Sequence, residues 1–271
     1  MSSCHPVCAE FLKVMSDNRR TEQRFWDTYW VKQKHSRKSH RESLQIREIK
    51  RIFHHYLPKG NTLQVLEIGG AYGEYLMYLH DRFHHQVSSL DYSSEGNEAT
   101  RNRFIQAGKE VRIIQRDLFS NLSDLPRFDI VFSLGFIEHF DDPLPSITKH
   151  LELVKPGGIL LLGVPNLGGI YKSVLRKTAP SFEESHNLKT MDPASWEVFE
   201  QTLHLETLFK GYIGGFEPLN MKKLERKGVV AGGLNLLVSV LTVILSFHFQ
   251  FLRRFNSPFW SGYLIGIYKK A

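Results

Sequence analysis

Several residue types recur in this chain where they can do chemistry. Residues 65–75 read Val-Leu-Glu-Ile-Gly-Gly-Ala-Tyr-Gly-Glu-Tyr, an apolar strand with Glu67 near its end running into a small-residue turn that opens a helix. Glycines let backbone N–H groups approach a ligand closely, and a helix N-terminus adds favourable partial charge. Asp91 ends a second apolar run, Gln86–Asp91, and Asp117 a third, Val111–Asp117. A fourth, beginning Phe128-Asp-Ile-Val-Phe-Ser133, runs on to Ile137 and meets Glu138-His139. His139, or His186 further on, can deprotonate a hydroxyl, because an unperturbed imidazole titrates near pH ~6.5. Alternatively, Glu138 and His139 are helix-start residues that hydrogen-bond locally.

These groups need strands to carry them and helices between the strands. Leu153-Val-Lys-Pro-Gly-Gly158 reads as a helix end and turn before a fifth strand, Ile159–Val164. Strands alternating with helical stretches imply parallel βαβ units with ligands at the carboxyl ends of the strands. Glu74–Phe83 follows the loop as a helix with Leu76 and Leu79 turned to the sheet. Ser93 or Ser94 caps the next helix, which runs to Ala107 and stops at Gly108, and Pro143–Val154 supplies another. Asp192-Pro193 starts a later helix. Leu205–Ile213 and Gly262–Tyr268 read as sixth and seventh strands.

The ordered series Glu67-x-Gly69-x-Ala71-x-Gly73, Asp91, Asp117, Phe128–Ser133, Glu138-His139 and Lys155-Pro-Gly-Gly158 closely resembles the class I S-adenosylmethionine-dependent methyltransferases. A plain dinucleotide-binding domain competes for the first loop, but its last glycines stand three residues apart, whereas Gly69, Ala71 and Gly73 alternate. The resemblance implies an α/β fold: a seven-stranded Rossmann-like sheet with helices on both faces and an antiparallel seventh strand beside the fifth. It also implies S-adenosylmethionine as cofactor. Gly69, Gly70, Ala71 and Gly73 would face its aminoacyl part, with Glu67 orienting the loop. Asp91 would hold the ribose hydroxyls, Tyr92 cover the adenine, Asp117 receive the adenine amino group and Leu118 pack on the ring. Ser133 and Leu134 would meet the methionine moiety. Family loops usually carry glycine where Ala71 stands, and alanine suits that place if its φ is negative. Some relatives bind a divalent metal through Glu-x-x-Glu-His; Gly135 replaces the first glutamate here, so no metal is expected.

Charge is unevenly spread. The chain has a net charge of +7 over 271 residues, and residues 1–60 hold all of the excess, with 13 Lys/Arg against 6 Asp/Glu. Such a patch can meet an anionic surface or lie on a solvated helix. Aromatic residues are not interleaved through the basic run Lys32–Arg41, so nucleic acid is not the expected partner. Ile49, Ile52, Phe53, Tyr56 and Leu57 share one helical face, and Pro58-Lys-Gly60 ends that helix. Phe25, Trp26, Tyr29 and Trp30 read as core anchors, with one available to line the site. Cys4 and Cys8, with His5, fall short of a closed zinc site and are expected to be reduced thiols. The first residues lack a basic stretch followed by an apolar one, so no secretory leader is expected.

From Val229 to Leu252 there is no Asp, Glu, Lys or Arg, while Asn235, Ser239, Thr242, Ser246 and Gln250 form one narrow stripe. Basic residues flank the segment. A membrane crossing would strand the seventh strand away from its sheet, which leaves a lid over an apolar pocket, a membrane-interface helix or a homodimer contact. The sequence thus divides into a basic helical cap over residues 1–60 and a methyltransferase domain over 61–271, with an apolar helical insertion at 218–258. Its expected activity is methyl transfer to a hydroxyl of a small lipophilic or glycan-linked acceptor, in the cytoplasm or at a membrane surface. A catalytically degenerate membrane-associated module and a nucleic-acid methyltransferase are the alternatives.

Overall fold

A computed structural model of the protein describes residues 18–34, 44–178, 181–216 and 255–271. The Cys4–Cys8 segment, most of the basic run and the apolar segment 229–252 lie outside the described residues. Among the described residues, no helix is long and apolar enough to cross a membrane.

The elements are α1 (Gln23–Lys34), α2 (Leu44–Tyr56), β1 (Gln64–Ile68), α3 (Glu74–Phe83), β2 (Gln86–Asp91), α4 (Ser94–Gln106) and β3 (Arg112–Gln115). They continue as β4 (Phe128–Leu134), α5 (Leu144–Glu152), β5 (Val154–Pro165), α6 (Gly169–Thr178), α7 (Phe182–Ser185), α8 (Glu197–Thr202), β6 (Glu206–Phe216) and β7 (Ser261–Lys269). They build a seven-stranded sheet in the order β3-β2-β1-β4-β5-β7-β6. The first five strands are parallel, and β7 enters antiparallel between β5 and β6. This is the sheet expected from the sequence, antiparallel strand included.

The order reverses between β1 and β4, so the loops leaving their carboxyl ends diverge and open a crevice there. Alternate residues of the strands feed two apolar layers. Leu66, Val131 and Leu160 join a cluster with Tyr171, Trp196 and Phe199, while Val65, Ile130, Phe132 and Leu161 join Leu76, Leu79 and Phe83. The second layer also takes in Ile49, Phe53 and Leu57 of α2 and the residue after it, on the face read from their spacing.

Two strands are shorter at their carboxyl ends than the sequence suggests. Gly135 takes φ +83°, which ends β4 at Leu134, and a 3-10 turn over Ile137–His139 follows. β3 stops at Gln115, leaving Asp117 in the next turn, where its Oδ1 accepts the Phe119 N–H at 2.9 Å. The caps read from sequence are present: Ser93 Oγ accepts from the Gly96 N–H at 3.0 Å, and Asp192 Oδ1 from the Ala194 N–H at 3.0 Å. Asp192 caps a 3-10 turn, Pro193–Trp196, that leads into α8.

Phe53 is fully buried and packs edge-on against Tyr75 and Phe132. Phe53→Ala should lower stability by about 3–5 kcal/mol in denaturant unfolding. A loss under about 1 kcal/mol would show that α2 merely rests on the domain.

Candidate active site

The loop after β1 is held tightly by its own residues. Gly69 takes φ +68° and its N–H donates to Leu90 O at 2.9 Å. The Gly73 N–H donates to Gly70 O at 2.8 Å. Both amides are therefore occupied within the protein, and Gly69 meets the crevice through its other backbone atoms. A side chain at Gly70 would collide with Glu67, whose carboxyl is folded beneath the loop. Ala71 keeps out of the left-handed region, which falls instead on Tyr72 at φ 71°. Gly73 lies away from the crevice, against Thr100 and Phe104.

Two cavities open at the switch point. One is lined by Gly69, Asp91, Tyr92, Asp117, Leu118 and Phe119, among others. The second, of about 930 Å3, is lined by Glu67, Gly70, Ala71, Leu134, Tyr263 and His186, among others. The cavities share Thr21, Trp26, Trp30, Gly69, Gly135 and His139, so His139 stands at their junction. Most of the residues singled out from sequence thus line one or other of these adjoining cavities, Asp91 and Asp117 the first and Glu67 the second. Ser133 is not: it is fully buried within β4, outside both linings.

The acids here are desolvated. Glu67 is buried, its Oε2 has no hydrogen-bond partner, and burial, reinforced by Glu74 and Asp91, pushes its carboxyl well above the usual range. Burial also raises Asp91 to about 7, although its Oδ1 accepts the Ser93 N–H at 2.8 Å. Glu138 is raised to about 8 by burial, and its Oε2 is unpartnered. These features fit a ligand rich in donors: a buried acceptor beneath the glycine turn, an acid at the end of β2, and a cradle at Gly70 that tolerates no side chain.

His139 Nδ1 lies 2.7 Å from Ser185 O, so that nitrogen carries the proton and Nε2 keeps the lone pair. Nε2 faces Glu138 Oε1 at 3.7 Å. Burial lowers the His139 imidazole to about 4, which keeps it neutral. His186 Nδ1 sits 2.9 Å from Phe182 O and 2.8 Å from Ser185 Oγ, and its ring lies 4.6 Å from that of His139. Ligand atoms of Glu138, His139 and His186 all fall within 4.8 Å of one another, a composition compatible with a cation as well as with proton transfer. Sequence reading, with Gly135 in place of an acid, gave no reason to expect that grouping; only the fold brings His186 across.

Sequence reading also missed Arg19, Arg20, Phe119, Phe136 and Tyr263 as lining residues. The first two precede α1 in the strap Asn18–Thr21, which is stitched to the loop after β4. Arg20 N–H donates to His139 O at 2.8 Å and Asp141 N–H to Asn18 O at 2.9 Å. From α1, Trp26 packs edge-on against His139 at 4.8 Å and Trp30 against Tyr72 at 5.0 Å. The aromatic cluster read as core anchors therefore walls the opening.

Glu138 gives stability a definite pH dependence. Folded, it holds its proton up to about 8, whereas unfolded it ionises near 4.5. Between those values the folded state binds more protons, so this contribution falls as pH rises. His139 and His150, both lowered to about 4, act in the opposite sense but only below 6.5. Thermal melts from pH 6.5 to 8.5 should show Glu138→Gln gaining on the wild type as pH rises, by up to about 1–2 kcal/mol. A pH-independent difference would contradict a buried neutral acid.

The sequence model of a methyltransferase domain matches residues 22–206. The ubiquinone biosynthesis O-methyltransferase of Vibrio cholerae serotype O1 is 32% identical over 114 residues, 41% of this chain and 46% of that protein. The chain spans less than half the length of the first curated relatives it matches. Coclaurine N-methyltransferase, solved with N-methylheliamine and S-adenosylhomocysteine, superposes with a TM-score of 0.57 at 12% identity, over 86% of this chain and 75% of that one. Phosphoethanolamine N-methyltransferase 2 of Haemonchus contortus, solved with S-adenosylmethionine, superposes with a TM-score of 0.56 at 15% identity, over 82% of this chain and 51% of that one. The family match covers more than half of the chain and the fold agrees with it: this chain belongs to the methyltransferase-domain family.

Proposed function

We propose that the chain transfers a methyl group to a hydroxyl of a small lipophilic acceptor. The observation that carries this reading is His139 at the junction of the two cavities, neutral, with an Nε2 lone pair. When bound, the cofactor supplies an activated methyl group on a sulfonium, so the protein's task is alignment, proton removal and exclusion of water. Asp91 holds the ribose hydroxyls, and Glu67 braces the glycine loop at the aminoacyl end. Tyr92, Leu118 and Asp117 form the adenine end.

On the acceptor side, Phe25, Trp26, Tyr29, Trp30 and Phe182 give the second cavity flat apolar walls. Such walls suit a ring or an isoprenoid-like chain better than a charged polymer. Arg20, Lys32, Glu74 and Glu184 add charge to the same lining, and His139 and His186 bring two imidazoles to it. His139 takes the hydroxyl proton at Nε2 as the oxygen attacks the methyl carbon, with Glu138 Oε1 3.7 Å from that nitrogen as a neighbouring acceptor. His186, behind it, orients the acceptor. The curated relative from Vibrio cholerae is named as an O-methyltransferase, which supports the choice of oxygen. The charge-free run 229–252 between basic flanks supports an acceptor met at a lipid surface.

The test is incubation with S-adenosylmethionine labelled on the methyl group and a lipid-extractable fraction, followed by identification of the product. A labelled methyl ether is expected; label confined to nitrogen, or lost on nuclease digestion, would refute the reading. Asp91→Ala should weaken cofactor binding by about 1–3 kcal/mol in calorimetry, and unchanged affinity would remove it from the site. His139→Ala should lower kcat about 10²–10⁴-fold with cofactor affinity retained. A chelator should leave the wild-type rate unchanged, since this route moves the proton to an imidazole; loss of activity would instead assign Glu138, His139 and His186 to a cation.

A further inference from the structure

The adenine end of the cofactor cavity already holds a planar cation. Arg19 Nη2 donates to both oxygens of Asp117, at 2.6 and 2.7 Å. Its guanidinium lies 4.9 Å from the centre of the Phe119 ring and 5.6 Å from that of Tyr92. A flat, delocalised group stacked near aromatic rings and donating to a carboxylate is also how an adenine with its exocyclic amine would sit there. The cavity left beside Arg19 is small, about 50 Å3.

We propose that Arg19 is an intramolecular occupant of the adenine seat, one that the cofactor must displace from Asp117 before it can bind. The proposal rests on the assignment of Tyr92 and Asp117 to adenine made above. Arg19 sits on a strap anchored on both sides of it. Its backbone bridges to Phe140, the Asn18 side chain donates to Asp142 O, and the neighbouring Arg20 reaches the acceptor side. There Arg20 pairs with Asp141 at 2.7 Å and donates to His186 O at 3.1 Å. Withdrawal of the Arg19 side chain therefore pulls on the segment that positions His186, and the cofactor is bound before the acceptor cleft takes its working shape. Stacked and paired on both carboxylate oxygens, Arg19 lowers apparent affinity by the fraction of molecules in which the seat is taken.

Calorimetry with adenosine and with S-adenosylhomocysteine tests this. Arg19→Ala should tighten both ligands by a similar factor, on the order of fivefold or more, because the competition is for the seat they share. Arg19→Gln, a shorter neutral side chain that keeps an amide N–H donor, should tighten them less and serves if the alanine variant does not fold. Unchanged or weakened binding in the folded variants would overturn the proposal and make Arg19 a spectator or a cofactor ligand. Comparing Arg19→Ala with the Arg19→Ala/Asp117→Ala double variant tests the underlying assignment separately. Weaker binding in the double variant keeps Asp117 at the adenine, whereas equal binding removes the seat and the proposal with it.

Discussion

An ionised carboxylate taken out of water needs donors or a counter-charge, and the carboxyl edge of this sheet buries three carboxyls that lack a full set. Glu67 and Glu138 each keep an oxygen without a partner, and Asp91 is raised to about 7 despite its bond from Ser93. Such groups do not hold their own positions. They are held because β1, β2 and β4 are pinned from both faces by apolar layers, with α2 and α3 on one side and α5, α6 and α8 on the other. The free energy withheld from these acids is recoverable by a ligand that brings hydroxyls, an amino group and a positive centre into the crevice. Stability of the scaffold and avidity of the site therefore draw on the same packing.

The opening itself is assembled from parts far apart in the chain. The first 3-10 turn brings His139 and Glu138, the segment after α6 brings His186, and β7 brings Tyr263. Burial, with Glu138 and Glu67 nearby, keeps the Tyr263 phenol protonated, and its hydroxyl donates to Gly163 O at 3.5 Å while the residue lines the second cavity. The antiparallel entry of β7 makes this possible. It pairs Tyr263 with Pro165 at the carboxyl end of β5, beside the crevice, where a parallel strand of the same sequence would arrive reversed.

What was legible in the sequence follows from this division. Strands and helices whose character is set locally could be read directly. Glu74–Phe83 and Gln86–Asp91 coincide with their expected bounds, Ser93 caps as its hydroxyl suggests, and the spacing of Ile49 and Phe53 gives the buried face of α2. Asp91, Tyr92, Asp117 and Leu118 line one cavity because an ordered series of strand ends can be counted off residue by residue. Ser133 shows where counting fails, since alternation turns successive side chains to opposite faces and one position decides between crevice and core. Arg19, Tyr263 and the approach of His186 to His139 carry no local signal, being products of tertiary contact. The role of 229–252 lies outside the described residues.

The departure at Ala71 shows how closely these parts constrain one another. Its methyl group stands where a Cβ on Gly96 of α4 would lie 2.9 Å away, and that same Cβ would press on Trp30 at 3.2 Å. The bare backbone at residue 96 makes room for both the alanine and the indole. Trp30 in turn packs on Tyr72, the residue that takes the left-handed conformation, and its carbonyl accepts the Tyr72 hydroxyl at 3.3 Å. A non-glycine residue holds that conformation only where its surroundings determine it, and here α1 is part of those surroundings. The glycine turn after β1, the helix after β2 and the aromatic wall from the N-terminal segment thus settle as one unit. A change in the seat of α1 is consequently felt at the glycine turn without any movement of the sheet.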